Sequence, residues 1–488
     1  MDKPSEFRVK LFNRDTVIVF FLLLITFGYF YNDSGFNGNS RLGLTFGMVE
    51  RNMFNLYTGD IEVKSSPLYT EDVAVYNDNY YTDKAIGSSV LAAIFYWPIY
   101  KVAELVHMVI PVETKKHLLT FLSIGLLSSI SGVLIFWLSN YLSKNRTIAY
   151  LVTMSLSLGT LLLPYSVSFF GHAQAAFFLF TSFFLTFLIS IPENAAYSIK
   201  RRYTFLIGLF MGTAFLIEYP TAILIPVLIL YYFYNIWKKG EAKRIANYLF
   251  PLIGGLIPIF VMVFYNQRVY GTAFTSGYQY LADTYFKEKM STGFMGIGFP
   301  KFSVIFYETF HPAQGIFWLS PVLLMIFIGA FFLLRKKKYR VELLISGYAF
   351  LSFLLMNSGY YMWWGGNSLG PRAVIPMLPF LCIPLSFVSA KWKPVLIVLS
   401  VISIGQMILA SSCQFLIPAN YIPTIGQDPF FHYSNIYSNV MLQLLDGRFG
   451  WNMGKAFFGL KTWFSLVPLI FSQLLLSVVF FTQRQDKK

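Results

Sequence analysis

Long hydrophobic segments follow one another along the 488-residue chain, and they limit its fold more than any other feature. A helix needs about 20 apolar residues to cross the hydrocarbon core of a bilayer, and thirteen segments approach that length. Only 12% of the residues are charged, whereas soluble domains average about 25%. The sequence therefore predicts an all-α polytopic membrane protein. The segments cover residues 16–32, 86–107, 117–139, 147–164, 171–191, 203–218, 220–237, 247–265, 313–334, 341–358, 372–390, 394–412 and 464–482.

The basic clusters between the segments predict the side of the membrane that each loop occupies, since cytoplasmic loops collect Lys and Arg. From the C-terminus back to residue 139, successive loops fall on alternate sides of the membrane, as one crossing per segment requires. Between residues 86 and 139 the number of crossings is wrong by one. The alternation of sides is restored if residues 86–112 lie along the outer interface and do not cross. The charged residues Lys101 and Glu104 in this stretch are suited to that position. About twelve crossings (11 to 13) result, with both termini inside. The alternative is that all thirteen segments cross and one basic cluster is misplaced.

This topology divides the chain into parts with different roles. A long outer loop with juxtamembrane helices is the predicted site of activity, and the other parts are transmembrane or connecting. The parts are the N-terminal tail with the first transmembrane helix (1–32), the active-site loop (33–116), a transmembrane core (117–265), a second outer loop (266–312), and C-terminal transmembrane helices (313–488) with outer loops 359–371 and 413–463.

The polar stretch from Asp33 to Ser88 gathers many of the acidic residues of a chain that has few. It also contains Arg41 and Lys84. Loops this long are usually functional or disordered. A site that handles a charged, hydroxyl-rich substrate at the membrane surface would explain this composition. A solvated loop of ordinary polar composition is the alternative.

Ionisable residues at the membrane edge are further candidates, because a charge there is costly unless it has a partner or a function. His172 and Glu218 lie at predicted outer turns, where a satisfied helix end is the alternative interpretation. Arg372 lies on the outer side, where the positive-inside rule gives no reason for an arginine. Arg41, Lys84 and Arg372 together are suited to a phosphate or diphosphate, because arginine donates two hydrogen bonds and lysine supplies a point charge.

Tandem aromatic residues also mark the outer loops, and Glu308 and His311 lie in the second of these loops. One interpretation is an aromatic belt at the level of the lipid headgroups. The other is a platform for the apolar face of a sugar ring or for an isoprenoid chain. The predicted substrate-binding residues of this group are Tyr80, Tyr81, Tyr361, Trp363, Trp364 and His311.

Several other classes of chemistry lack support in the sequence. It contains no Walker A motif and no HExxH, and its two cysteines, Cys382 and Cys413, form neither a disulfide framework nor a metal spacing. An acidic loop is able to hold a divalent cation through oxygen ligands, but no fixed spacing argues for one. The net charge of +15 is explained by topology, so we expect no nucleic-acid partner.

Seven stretches distributed along nearly the whole chain carry motifs of a known kind: NSRLGLTFGMVERN, YNDNYYTDKAIGSSVLAA, GHAQAAFFLF, LIEYPTAILIP, YNQRVYGTAFTSGYQY, HPAQGIFWLSPVLL and WWGGNSLGPRAVIPMLPFL. These motifs resemble those of bacterial integral-membrane glycosyltransferases of the GT-C superfamily. The nearest branch is the protein O-mannosyltransferase-like and aminoarabinose-transferase-like one. The resemblance implies a GT-C-like bundle in the bacterial inner membrane, a polyprenyl-phosphate-linked sugar donor, a periplasmic active site, and inverting transfer to a glycan, lipid or protein acceptor.

The same resemblance places the catalytic carboxylate just after the first span, often within an acidic pair. Here the matching place reads Gly38-Asn39-Ser40-Arg41, so the pair is missing and the family does not name the base. Lys84 aligns with a family lysine that meets the donor phosphate. His172 occupies an outer turn where relatives carry an acidic residue.

The resulting hypothesis has a carboxylate deprotonate an acceptor hydroxyl, which then attacks the anomeric carbon. Asp83 is the predicted base, with Glu50 and Asp33 as reserves. The neighbouring Lys84 is expected to keep the pKa of Asp83 low. The leaving lipid phosphate would be stabilised by Lys84 and Arg372.

Three alternatives remain open at this point. A lipid flippase or transporter would be expected to show repeated, broken spans, and no such pairing is evident in the sequence. A lipid-linked-glycan polymerase or ligase shares the outer-face site and the basic phosphate clamp. A catalytically inactive relative that binds polyprenyl lipids is compatible with the missing acidic pair.

Overall fold

A computed structural model describes residues 13–191, 201–312, 314–336, 338–366, 368–415 and 440–482. Within these ranges the chain is mostly α-helix, and its strands are short and form two-stranded sheets. The predicted fold class, an all-α polytopic membrane protein, is confirmed. Part of the outer loop predicted at 413–463 lies outside the described residues.

The helices are numbered in chain order. The first half of the chain contains α1 Arg14–Tyr29, α2 Gly35–Phe46, α3 Thr58–Ile61, α4 Gly87–Leu105, α5 Val112–Thr120, α6 Leu126–Ser143, α7 Arg146–Leu158, α8 Leu162–Ser166, α9 Gly171–Ser190, α10 Arg201–Ile217 and α11 Ile225–Lys238. The second half contains α12 Ala246–Tyr270, α13 Thr284–Ser291, α14 Phe302–Thr309, α15 Ile316–Leu319, α16 Met325–Leu334, α17 Arg340–Gly359, α18 Cys382–Leu385, α19 Lys393–Ser412, α20 Met441–Leu445, α21 Met453–Phe458 and α22 Val467–Thr482. The strands are β1 Phe30–Tyr31, β2 Val73–Tyr76, β3 Asn79–Thr82 and β4 Trp451–Asn452.

Six continuous helical stretches of the described part are long and apolar enough to cross a membrane, and some of them join neighbouring elements, such as α5 and α6. They are Val112–Ser143, Gly171–Ser190, Ala246–Tyr270, Arg340–Gly359, Ala390–Ser412 and Thr462–Thr482, and the shorter apolar helices are Pro321–Leu334 and Arg372–Leu385. All of them lie within hydrophobic segments that the sequence predicts, or overlap one. The number of crossings, their orientation and the interfacial position of 86–112 stay predictions.

One predicted segment, 147–164, is not a single helix. Helix α7 ends at Leu158 and a new helix begins at Leu162. Gly159 lies at the break, where a Cβ atom would approach the carbonyl oxygen of Ser155 to 2.7 Å. The following short helix, Leu162–Ser166, leads the chain into the turn before α9, and His172 is the second residue of α9.

Close backbone contact holds α10 against α12. A Cβ atom on Gly208 would lie 1.8 Å from the carbonyl oxygen of Pro251. A Cβ on Gly254 would lie 2.1 Å from the carbonyl oxygen of Phe205. Glycines at such contacts let helices pack closely inside a membrane. This contact fixes the helix that ends immediately before Glu218.

The segment that the sequence predicts as the first outer loop is folded, and this contradicts the alternative of a solvated loop. Strands β2 and β3 form a hairpin through Asn77 and Asp78, which both have positive φ angles (48° and 57°), as a type I′ turn requires. Helix α2 packs beneath the hairpin, and its Ser40 and Arg41 are only 0% and 3% exposed. The loop therefore places specific polar side chains in a buried position.

Candidate functional site

Arg41 forms the centre of a buried polar cluster. Its guanidinium donates to Glu218 Oε1 over 2.8 Å and to Asn37 Oδ1 over 3.1 Å. Nη1 donates to the carbonyl oxygen of Ala85 and to Ser88 Oγ, each over 3.2 Å. Helix α2 and the start of α4 are thus joined to the turn after α10 through one side chain.

His172 stands beside the same carboxylate. Its Nδ1 lies 3.8 Å from Glu218 Oε1, which is an electrostatic contact but not a hydrogen bond. The preceding Gly171 is required for this approach, because a Cβ there would lie 2.3 Å from Glu218 Oε1. The structure therefore brings three predicted site residues, Arg41, His172 and Glu218, into contact.

Asp83 and Lys84 lie next to this group, at the end of β3. Lys84 Nζ is 2.7 Å from Asp83 Oδ2 and 2.9 Å from Asp72 Oδ2. Asp83 Oδ1 is 3.4 Å from Ser40 Oγ, which also contacts Thr82 Oγ1 over 2.8 Å. Because Ser40 directly precedes Arg41, the hairpin residues and the Arg41 group form one continuous cluster.

The expected low pKa of Asp83 is wrong. Burial raises the pKa of the Asp83 carboxyl above its ordinary value, and the neighbouring charge of Lys84 only partly opposes this. The position of Lys84 next to Asp83 in the sequence correctly indicates a neighbouring cation, but it does not show how deeply Asp83 is buried. For Lys84, burial acts to lower the pKa, but the carboxylates of Asp72 and Asp83 outweigh it and raise the pKa, so the ammonium stays protonated.

Arg372 also belongs to this cluster, but the groups it contacts are an aromatic ring and a hydroxyl instead of carboxylates. Its guanidinium lies 5.1 Å from the centre of the Phe170 ring, and Nη1 donates weakly to Ser368 Oγ over 3.4 Å. Its charge acts on Glu218. Of the cations Arg41, Lys84 and Arg372, only Arg372 has no carboxylate partner within 4 Å in the described part of the chain. It is therefore the cation of this cluster that is available to an anionic ligand.

The two reserve bases lie in separate ion pairs. Asp33 Oδ1 contacts the buried Lys116 Nζ over 3.2 Å. Glu50 Oε1 accepts from Lys115 Nζ over 2.7 Å and from the hydroxyl of Tyr96 over 2.5 Å. Asp83 is thus the one predicted catalytic carboxylate that the structure places within the cluster.

The predicted aromatic residues form two groups rather than one platform. In the hairpin, Tyr81 packs edge-on against Tyr270, with ring centres 6.0 Å apart, whereas Tyr80 is directed towards Glu62. In the predicted outer loops 266–312 and 359–371, Tyr307 contacts Trp363 and His311, with ring centres 5.6 and 5.0 Å away. A ring contact at 6.0 Å extends the second group from Trp363 to Trp364. The rings of Tyr360 and Tyr361 contact each other, with centres 4.7 Å apart.

Glu308 belongs to this second aromatic group and not to the charged cluster. Its Oε1 accepts from Asn357 Nδ2 over 3.0 Å, and the same amide donates to the carbonyl oxygen of Trp363 over 2.8 Å. Burial raises the pKa of the Glu308 carboxyl to about 9, so it is protonated at neutral pH. It therefore connects α14 to the Trp363 loop as a neutral acid.

Sequence reasoning did not select three residues of the cluster: Ser40, Asp72 and Tyr278. Tyr278, from the predicted second outer loop, is half-buried, and its surroundings include Glu218 and Asp83. The hairpin turn at Asn77-Asp78 is the signal that would have found Asp72, because it fixes which residues face each other across the strands. Within the described ranges, no group of three or more His, Cys, Asp or Glu side chains is arranged to hold a metal ion.

Comparisons with known proteins add little to this picture. No protein-family model matches the chain, and no curated protein matches it. Among solved structures it is similar to the crystal structure of ArnT from Cupriavidus metallidurans bound to undecaprenyl phosphate, with a TM-score of 0.48 and 13% sequence identity. The match covers 84% of this chain and 65% of the ArnT chain, so it spans just under two thirds of that protein. A likeness at this level assigns neither a family nor an activity.

Proposed function

We propose that this protein is a membrane glycosyltransferase that moves a sugar from a polyprenyl-phosphate donor to an acceptor hydroxyl on the outer face of the bacterial inner membrane. The observation that supports this most is the buried cluster itself. Segments that are far apart in the sequence contribute to it: Arg41, Asp83 with Lys84, His172, Glu218 and Arg372. Buried charges are costly, and ionisable groups with perturbed pKa values cluster at functional sites.

The donor phosphate is assigned to Arg372 and Lys84. Arg372 is half-buried and has no carboxylate partner among the described residues, and its planar guanidinium is suited to two hydrogen bonds with phosphate oxygens. Lys84 reaches the same region through a flexible stem. Arg41, which is already neutralised by Glu218, supports the cluster instead of binding phosphate directly.

Asp83 is proposed as the base. It takes the proton of the acceptor hydroxyl as the hydroxyl oxygen attacks the anomeric carbon, and the phosphate leaves with inversion of configuration. A positioned base contributes roughly 10²–10⁴-fold to such a step. Stabilisation of the leaving phosphate by fixed cations is a separate contribution of similar or larger size. The aromatic groups around Tyr81 and Trp363 are proposed to contact the sugar and the isoprenoid chain.

The test is transfer of a labelled sugar from polyprenyl-phosphate donors to endogenous acceptors, using the full chain in proteoliposomes. Asp83→Asn is expected to lose at least about 100-fold in rate. The matched control is Asp78→Asn, which changes an exposed carboxylate in the turn of the same hairpin and should keep wild-type activity. Full transfer by a well-expressed Asp83→Asn variant would remove Asp83 from the mechanism. Absence of transfer by the wild type with hexose and pentose donors would contradict the proposed function.

A further inference from the structure

Asp72 and Asp83 share one ammonium group at the open end of the β2–β3 hairpin. The register pairs Val73 with Thr82, so the next residues outward on the two strands are Asp72 and Asp83. Lys84 Nζ lies 2.9 Å from the first carboxylate and 2.7 Å from the second. Like charges that face each other across paired strands destabilise the pairing. Lys84 therefore neutralises a repulsion that is built into the hairpin.

The three side chains differ in how firmly they are held. Asp83 is 5% exposed and has a further contact from its Oδ1 to Ser40 Oγ at 3.4 Å. Lys84 and Asp72 are 15% and 26% exposed, so they face the accessible side of the cluster. A lysine has a compact charge on a stem with several rotatable bonds. Lys84 is therefore the member of the group that is able to change partners while Asp83 stays in place.

We propose that the phosphate of the donor draws Lys84 away from this carboxylate pair, and that Asp72 then makes Asp83 a stronger base by charge repulsion. The inference rests on the proposed function and adds a positioning residue to it. The acceptor hydroxyl gives its proton to Asp83 as its oxygen bonds to the anomeric carbon. The bond between that carbon and the phosphate oxygen breaks, and the phosphate keeps the electron pair opposite Lys84 and Arg372. The base is thus strongest only while donor is bound.

Other charged and titratable groups also act on Asp83, and the test must separate them from Asp72. Lys84 and Arg41 favour its ionised form, and Asp72 opposes it. Three tyrosines, from α12 and from the two outer loops that cover the hairpin, also interact with it: Tyr270, Tyr278 and Tyr360. Among these groups Asp72 is the one other carboxylate. Its neutralisation is therefore a specific change.

The experiment measures pH profiles of kcat and kcat/KM for transfer by the full chain in nanodiscs, for Asp72→Asn, Asp72→Glu and the wild type. The kcat profile reports groups in the donor complex, and the kcat/KM profile reports the free enzyme. In the wild type the acid limb of kcat should lie at higher pH than that of kcat/KM. In Asp72→Asn the acid limb of kcat should move down by about one pH unit. The value of kcat should fall roughly three- to tenfold.

Asp72→Asn should also bind the donor more tightly, because one carboxylate fewer competes with the donor phosphate for Lys84. The KM for the donor is therefore expected to fall together with kcat. A merely structural role for Asp72 would not produce this opposite change. Asp72→Glu keeps the charge and should keep the wild-type profile. Glu71→Gln is the matched control, since Glu71 is the exposed neighbouring carboxylate and contacts Tyr69. An Asp72→Asn variant with the profile and KM of Glu71→Gln would contradict the proposal.

A binding measurement keeps the proposal testable if Asp72→Asn does not fold. Calorimetry in buffers of different ionisation enthalpy reports the proton uptake of the wild-type protein when it binds a polyprenyl phosphodiester, a probe that does not titrate near neutral pH. Net proton uptake is expected, because Asp83 becomes more basic as Lys84 leaves. Binding without proton uptake would overturn the inference and leave the proposed function intact. Absence of wild-type sugar transfer would contradict the function instead.

Discussion

The two arginine–carboxylate contacts at the ends of α1, α7 and α10 are built in opposite ways. Arg146 binds both oxygens of Asp15, each over 2.6 Å, and donates to the carbonyl oxygen of Phe480 over 2.6 Å. The Phe480 ring also covers the guanidinium at 3.8 Å. Arg41, in contrast, binds a single oxygen of Glu218 over 2.8 Å, and His172 shares that oxygen.

The difference separates a structural contact from a candidate site. One cation and one carboxylate neutralise each other at Arg146, and this pair ties α1, α7 and α22 together. In the Arg41 cluster, Lys84 faces two carboxylates whereas Arg372 has none within the described residues. A protein that only needed stability would gain little from such an uneven distribution of buried charge. The uneven distribution is explained if an anionic ligand completes it.

The largest expected effect comes from Glu218→Gln. It leaves the Arg41 guanidinium, which is 3% exposed, without its counter-ion, and breaking a buried pair in this way costs about 3–5 kcal/mol. Thermal unfolding in detergent should show a strongly destabilised protein. The double variant Glu218→Gln with Arg41→Gln should recover part of the loss. Equal destabilisation of the single and double variants would show that the pair does not act as a unit.

Arg372→Gln should affect activity much more than stability. Removal of a fixed cation that stabilises a leaving phosphate costs about 100-fold or more in kcat. Unfolding should change little, because no described carboxylate loses a partner. Sugar-transfer kinetics and thermal unfolding, measured on the same preparation, separate the two effects. A stable Arg372→Gln variant with normal kcat would remove the difference between the two arginine sites.

Glu308 sharpens the comparison, because it is a buried carboxyl group that has no cationic partner within 4 Å among the described residues. Its pKa is raised from 4.5 to about 9 in the folded protein. The folded state therefore binds the proton more tightly than the unfolded state, and stability that is full below about pH 4.5 is lost as the pH rises towards 9. The slope should reach up to about 1 kcal/mol per pH unit. Glu308→Gln should abolish this slope in thermal unfolding measured from pH 5 to 9, and an unchanged slope would assign it to other groups.

The smallest effect is expected at the Arg146–Asp15 contact, where one cation and one carboxylate neutralise each other. Arg146→Lys keeps the charge but loses the two parallel hydrogen bonds to Asp15, which should cost about 1 kcal/mol. Donor KM and kcat should stay at wild-type values, since the pair lies outside the cluster. A change in KM without a change in unfolding temperature would mean that this end of the bundle also contributes to substrate binding.

The sequence predicts the helices well and the site in part. Segment 171–191 becomes Gly171–Ser190, because a long apolar run between polar turns has few alternatives in a membrane protein. Costly ionisable residues at the predicted outer turns, such as Glu218 and Arg372, are recognisable in the sequence because a charge at the membrane edge needs a partner or a function. The grouping of these residues was not predictable in detail, because it depends on the register of a hairpin and on the burial of helix α2. The position of Asp72 beside Lys84 and the raised pKa of Asp83 are both consequences of that packing.

The most direct measurement of the central claim is a structure of the protein with a polyprenyl-phosphate analogue bound. The phosphate is expected against the guanidinium of Arg372, with Lys84 turned towards it from Asp72 and with Asp83 facing an open groove. A phosphate that lies away from this cluster, in a lipid that runs through a passage open to both sides of the membrane, would contradict the transferase and favour a flippase.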